Sequence, residues 1–147
     1  MKRIIAIIMS LLISVPTIGY TANISSTQTN DTVYIHVNAY HSEDEIYNCC
    51  EIELTYDTEM LRFNNELSSL GCGAYRDKDG QLMLIDFGAD KPLGESIYTL
   101  AFDIVGCGYT DVKLDRAAFS TAEKAVSEDV EPITNTPNSI FIWLDDE

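Results

Sequence analysis

The stretch "EIELTYDTEMLRF", Glu51 to Phe63, alternates, stops and alternates again. Ile52, Leu54 and Tyr56 share one parity, and Glu51, Glu53 and Thr55 share the other. In an extended chain, residues two apart line the same face, so this is a half-buried strand with an acidic outer side. Asp57 ends it, a short tether follows, and Leu61 and Phe63 resume the alternation. A strand that breaks and restarts this quickly turns a corner between two layers.

The same period of two recurs on both sides. In "TVYIHVNAY", Val33, Ile35, Val37 and Ala39 oppose Tyr34, His36, Asn38 and Tyr40. "SIYTLAFDIV" sets Tyr98, Leu100, Phe102 and Ile104 together, "TDVKLD" adds Val112 and Leu114, and "SIFIWL" reads as a last strand. "DKDG" between "GCGAYR" and "QLMLIDF" reads as a hairpin turn. The segment "AAFSTAEKAVSED" is less regular and reads as a loop or a helical turn. Short alternating runs separated by turn signals predict an all-β, antiparallel two-sheet β-sandwich.

The ends have a different character. Lys2 and Arg3 precede an apolar run from Ile4 to Val15, then Pro16 and Gly19. This predicts a secretory signal peptide over residues 1–22, with cleavage near Ala22 and an extracellular product. The run is short for a bilayer-spanning helix, the alternative being a retained membrane anchor, and no membrane contact is expected after cleavage. Residues 23–31, rich in Ser, Thr and Asn, read as a flexible lead-in, residues 32–144 as one domain, and 145–147 as an acidic tail. The formal net charge is −15. Without Lys2 and Arg3, seven basic side chains face 24 acidic ones, or −17. Such a surface repels nucleic acid and anionic lipid.

Export permits disulfides among Cys49, Cys50, Cys72 and Cys107, in any of three pairings. Cys50 shares the parity of Ile52 and is expected inward, with Cys49 outward. No Cys-x-x-Cys spacing suggests zinc, and His36 and His41 have opposite parity, so no metal and no cofactor are expected. "DKDG" lacks the glutamate that a calcium loop needs at its twelfth position, which is Gly88. Glu51 and Glu53 lie on one strand face and cannot form opposing walls of a glycosidase cleft. With no catalytic constellation, a binding protein is expected rather than an enzyme.

Two surfaces stand out. If Met83, Ile85 and Phe87 fill the core, Leu82 and Leu84 lie outward with Asp86, beside Glu51 and Glu53. An apolar patch with an acidic rim suits a protein partner. The alternative is that residues 117–135 cover it. Second, if Ile140, Ile142 and Leu144 face inward, Phe141 and Trp143 face outward and join Tyr34 and Tyr40 as a possible sugar-binding row. The alternative is the opposite parity, with Trp143 in the core.

These motifs together resemble the cohesin family. "YNCCEIELTYDTEMLRF" is similar to its strand ending in aromatic-Asp before a short Leu-containing strand. "QLMLIDFGAD", "IYTLAFDIVGCGYTDVKLDRAAFS" and "SIFIW" fit its later strands in order, over residues 32–144. The resemblance implies a nine-stranded jelly roll and a non-enzymatic module that binds a dockerin, a helical partner carrying its own calcium, in polysaccharide-degrading assemblies. It further implies a binding face on strands 3, 5, 6 and 8, with Cys49, Glu51, Tyr75 and Asp86 at outward positions. Glu53, Leu82 and Leu84 join that face by parity. Plant polysaccharide bound by outward aromatics is the alternative ligand.

Overall fold

A computed structural model describes residues 20–41, 46–70, 73–120, 128–130 and 139–144, with side chains for all of these except 20, 41, 46–48, 87–92, 120 and 128–130. The described residues form two antiparallel sheets packed face to face, as the alternation predicts. The strands are β1 (Tyr20–Gln28), β2 (Thr32–His41), β3 (Ile46–Tyr56), β4 (Leu61–Ser69) and β5 (Ala74–Lys78). After them come β6 (Gln81–Pro92), β7 (Gly94–Ile104), β8 (Gly108–Ser120), β9 (Glu128–Val130) and β10 (Ser139–Leu144). One sheet runs β1-β2-β7-β4 and the other β10-β8-β3-β6-β5, with β9 also paired to β8.

The opening stretch is the corner between the sheets. β3 lies in one and β4 in the other. The Asp57 carboxylate accepts the Glu59 N–H at 2.9 Å, and its carbonyl accepts Met60 N–H at 3.1 Å and Leu61 N–H at 2.9 Å. This local ring of bonds satisfies the backbone where the ladder stops. Tyr56 seals the corner: its ring meets Phe102 edge-on at 4.9 Å, and its hydroxyl donates to Asp77 at 2.7 Å. The β5–β6 hairpin closes on Asp79 and Gly80, with φ of 52° and 80°. Two positive φ values make a type I′ turn, whose twist matches the strands. The Gly80 carbonyl accepts the Tyr56 N–H at 2.8 Å and holds the hairpin tip against the corner.

The core lies between the sheets. Ile35, Leu100 and Phe102 from one side meet Ile52, Leu54, Leu114 and Phe119 from the other, all fully buried. Two sequence expectations are revised. The flexible lead-in is instead β1, paired with β2 from Tyr20 opposite His41 to Gln28 opposite Val33, with Ala22 and Ile24 in the core. Its Ser and Thr side chains concealed a strand because they occupy the exposed half. The irregular segment after Leu114 continues as β8 to Ser120, and β9 follows after 121–127, which lie outside the described residues.

Candidate binding surface

The outer face of the larger sheet is set by register. Glu51 lies opposite Ile85 and Ala118, Glu53 opposite Met83 and Arg116, and Thr55 opposite Gln81 and Lys113. Arg76 stands opposite Met83 on the far side of β6. Residues paired across strands share a face, so these side chains form one surface. Arg116 reaches this face through a β-bulge. The β3–β8 register slips between Glu53 and Leu54, and Asp115 is the extra residue. Inward parity therefore changes from Val112 and Leu114 before the bulge to Ala117 and Phe119 after it.

The surface is cross-linked by polar contacts. Arg116 Nη1 donates to Glu51 Oε1 at 2.7 Å, with both side chains partly exposed. Solvent screening limits such a pair to about 1 kcal/mol or less, so it orients the groups more than it stabilises the fold. The Thr55 hydroxyl donates to the Asp115 carboxylate, which lies 3.6 Å from Lys113 Nζ. Glu51, Glu53, Asp111 and Asp115 share the face with Arg76, Lys78, Lys113 and Arg116. Among the described side chains of this face, four carboxylates meet four cations, in a chain of net charge −15.

Three expected members are elsewhere. Leu82, Leu84 and Asp86 point into the core and are 2%, 1% and 1% exposed. β6 is apolar on both parities, so periodicity alone could not orient it. Pairing with β3 does, by setting Leu84 opposite Ile52 and Leu82 opposite Leu54. The outward apolar residues are Met83 and Ile85, half-buried, in place of the two leucines. The side chain of Phe87 lies outside those described. Asp86 is tolerated inside because the Tyr98 hydroxyl donates to its Oδ2 at 2.5 Å, and Cys50 Sγ lies 2.9 Å from that hydroxyl. Burial pushes the Cys50 thiol up to about 12, with the Tyr98 contact opposing and the nearby Asp86 charge adding. Tyr75 is also misplaced by the resemblance. It pairs with Leu84, on the inner side, and packs edge-on against Phe63 at 5.2 Å at the open margin of the sandwich. Cys49, Glu51 and Glu53 are outward as expected, each half-buried.

The four aromatics expected in one row divide between two faces. Tyr34 and Tyr40 lie on β2, on the outer side of the smaller sheet, whereas Phe141 and Trp143 lie on β10 of the larger one. Ile142 and Leu144 are buried, which fixes Phe141 and Trp143 outward. Sequence reading missed Tyr109, which lies opposite Trp143 with ring centroids 4.6 Å apart. Its alternation with Asp111 and Lys113 could have revealed it.

His36 bonds to the Thr27 and Thr99 hydroxyls at 2.8 and 3.3 Å, as a strand residue does; the His41 side chain is outside those described. The thiols of Cys49, Cys50 and Cys107 are unbridged, and Cys72 lies outside the described residues. Cys49 and Cys50 face opposite sides, and Cys107 lies beside Gly108 at the end of β8 remote from Phe119, which pairs with Cys50, roughly 35–40 Å away at strand rise. A cleft of about 390 Å³ at the corner is lined by Tyr56, Leu61, Arg62, Asp77, Asp79 and Val105. Two of its charged groups engage protein partners: Arg62 bonds to Asp103 at 3.2 Å and Asp77 accepts from Tyr56.

This two-sheet arrangement is the cohesin fold. The cohesin module from a Clostridium perfringens ATCC13124 family 33 glycoside hydrolase superposes with a TM-score of 0.62 at 10% identity, covering 88% of this chain and 100% of its own. A type II cohesin domain from the cellulosome of Acetivibrio cellulolyticus gives 0.58 at 12%, covering 82% and 94%. The sixth cohesin of scaffoldin B from the same organism, solved in complex with a Cel5 dockerin mutant, gives 0.56 at 14%, covering 78% and 94%. The likeness is one of fold. No family model and no curated protein sequence matches the chain.

Proposed function

We propose that this chain is a secreted, non-enzymatic module that binds a dockerin-type protein on the outer face of β8-β3-β6-β5. The observation that carries the reading is charge distribution. Four of the chain's nine Lys and Arg side chains gather on this face and match the four acids described there, in a chain whose formal charge is −15. Half-buried Met83 and Ile85, flanked by charges of both signs on Glu51, Glu53 and Arg76, suit a protein contact that joins apolar and polar groups. Several structures that share the fold were solved with dockerins bound, which supports this class of partner.

Titration calorimetry with calcium-loaded dockerin modules from the same genome tests the proposal. We expect saturable binding by at least one, weakened tenfold or more by Ile85→Asp and unchanged by Tyr40→Ala on the opposite sheet. Failure of every module to bind refutes the dockerin class. Binding that survives Ile85→Asp refutes the face. Export is checked by the N-terminal sequence of the mature protein; because Tyr20 to Ala22 belong to β1, with Ala22 in the core, the boundary is expected ahead of Tyr20 rather than near Ala22.

A further inference from the structure

We propose that Tyr109, Trp143 and Phe141 form a platform for a neutral polysaccharide chain, at the β10 margin of the larger sheet. They are exposed by 76%, 53% and 74% and brought together only by the fold. Trp143 lies opposite Tyr109, their rings meeting at 4.6 Å and 64°, which holds both in place. Phe141 is two residues along the same strand, about 7 Å from Trp143 at strand rise, on the same side. The trio is therefore a short row with one flank widened, running along an edge strand whose pairing partner is β8 among the described residues.

Shape, chemistry and charge select the ligand. The residues that dominate a protein–protein contact cluster near its centre, whereas this row lies along the rim of the sheet. A narrow row suits a chain of repeated units. Pyranose rings offer apolar C–H faces to aromatic rings, and their hydroxyls require polar neighbours. Exposed Asp111, opposite Phe141 and between Tyr109 and Lys113, supplies a hydrogen-bond acceptor. The chain charge of −15 disfavours nucleic acid and acidic glycans, and leaves neutral ones. The platform and the dockerin face share Asp111, but the platform's aromatic rings are separated from Met83 and Ile85 by β3 and β8, so variants at the two places are distinguishable.

Trp143 is the only tryptophan, so its fluorescence reports on this site alone. The probes are soluble mixed-linkage β-glucan and neutral xylan, with polygalacturonate as the acidic control and an apolar extended peptide as the alternative chain. We expect a saturable blue shift with a neutral glycan, alike at low and high salt. Tyr109→Ala should weaken it at least fivefold. Trp143→Ala, followed by mobility in glycan-containing gels, should weaken retention about tenfold, the equivalent of 1.4 kcal/mol. Ile85→Asp and Tyr34→Ala should change neither. The proposal is overturned if neutral glycans leave the emission unmoved, if only polygalacturonate shifts it, or if only the peptide or a dockerin does. The variants alter exposed side chains, and far-ultraviolet circular dichroism identical to the parent confirms that a loss is local.

Discussion

The orientation of β6 can be tested by paired truncation of adjacent residues, Leu84→Ala and Ile85→Ala. Leu84 is 1% exposed and packs opposite Ile52, so truncation removes buried methyl groups and leaves a cavity walled by the facing sheet. Such changes in a closed core cost about 3 kcal/mol. Ile85 is half-buried on the outer face, where water fills the vacated space and only part of the transfer energy is lost, about 1 kcal/mol. Urea unfolding followed by Trp143 fluorescence gives both values. With a slope near 2 kcal/mol/M for a domain of this size, the midpoint should fall by about 1.5 M for Leu84→Ala and about 0.5 M for Ile85→Ala. Aspartate sharpens the contrast. Leu84→Asp buries a carboxylate where nothing compensates it and should abolish folding, whereas Ile85→Asp should fold normally. Equal losses, or a larger loss at Ile85 with unchanged slope, would refute the inward placement of Leu84 and the docking surface built on it.

Three further predictions rest on other parts of the fold. Gly80 has φ of 80°, and an added Cβ would lie 2.4 Å from the Tyr56 carbonyl oxygen, whereas Gly108 has φ of 103° with nothing within 4 Å. Both alanine variants bear backbone strain, but Gly80→Ala adds a clash, so thermal unfolding should show a loss of about 3 kcal/mol there against about 1–2 at Gly108; the reverse order would refute the docking of the hairpin tip. The Cys50 thiol, raised by burial from 9.0 to about 12, stays protonated in the folded state while the unfolded chain ionises. Its contribution is fully present below about 9 and lost as pH rises toward about 12, so stability should decline across that window, and less so in Cys50→Ala. A thiol reagent at mild pH should modify exposed Cys107 at once and Cys50 only on unfolding.

The two sheets differ in how much of them local alternation reveals. β2, β3 and β7 were legible because one parity of each is clearly apolar: Val33, Ile35 and Val37; Ile52, Leu54 and Tyr56; Tyr98, Leu100 and Phe102. Tyr56 and Asp57 marked the corner because an aspartate can close a turn with its own side chain. β1 was missed because small polar residues on a solvent face resemble a loop until a partner strand supplies the ladder. Tyr75 was misplaced because strand order alone does not say which residue of β5 faces Leu84.

The sequence by itself determined the alternating strands, the corner at Asp57 and the strongly acidic character of the chain. Each follows from neighbours in the chain, where side-chain direction and turn chemistry are local properties. Only tertiary structure decided which side of β6 is inside, since Leu82/Leu84 and Met83/Ile85 are equally apolar and the pairing with Ile52 and Leu54 selects between them. It also decided that a bulge at Asp115 turns Arg116 outward to Glu51, and that Tyr109 meets Trp143 from 34 positions away. Register is a contact between distant segments, and a one-residue slip in it exchanges the core for the surface.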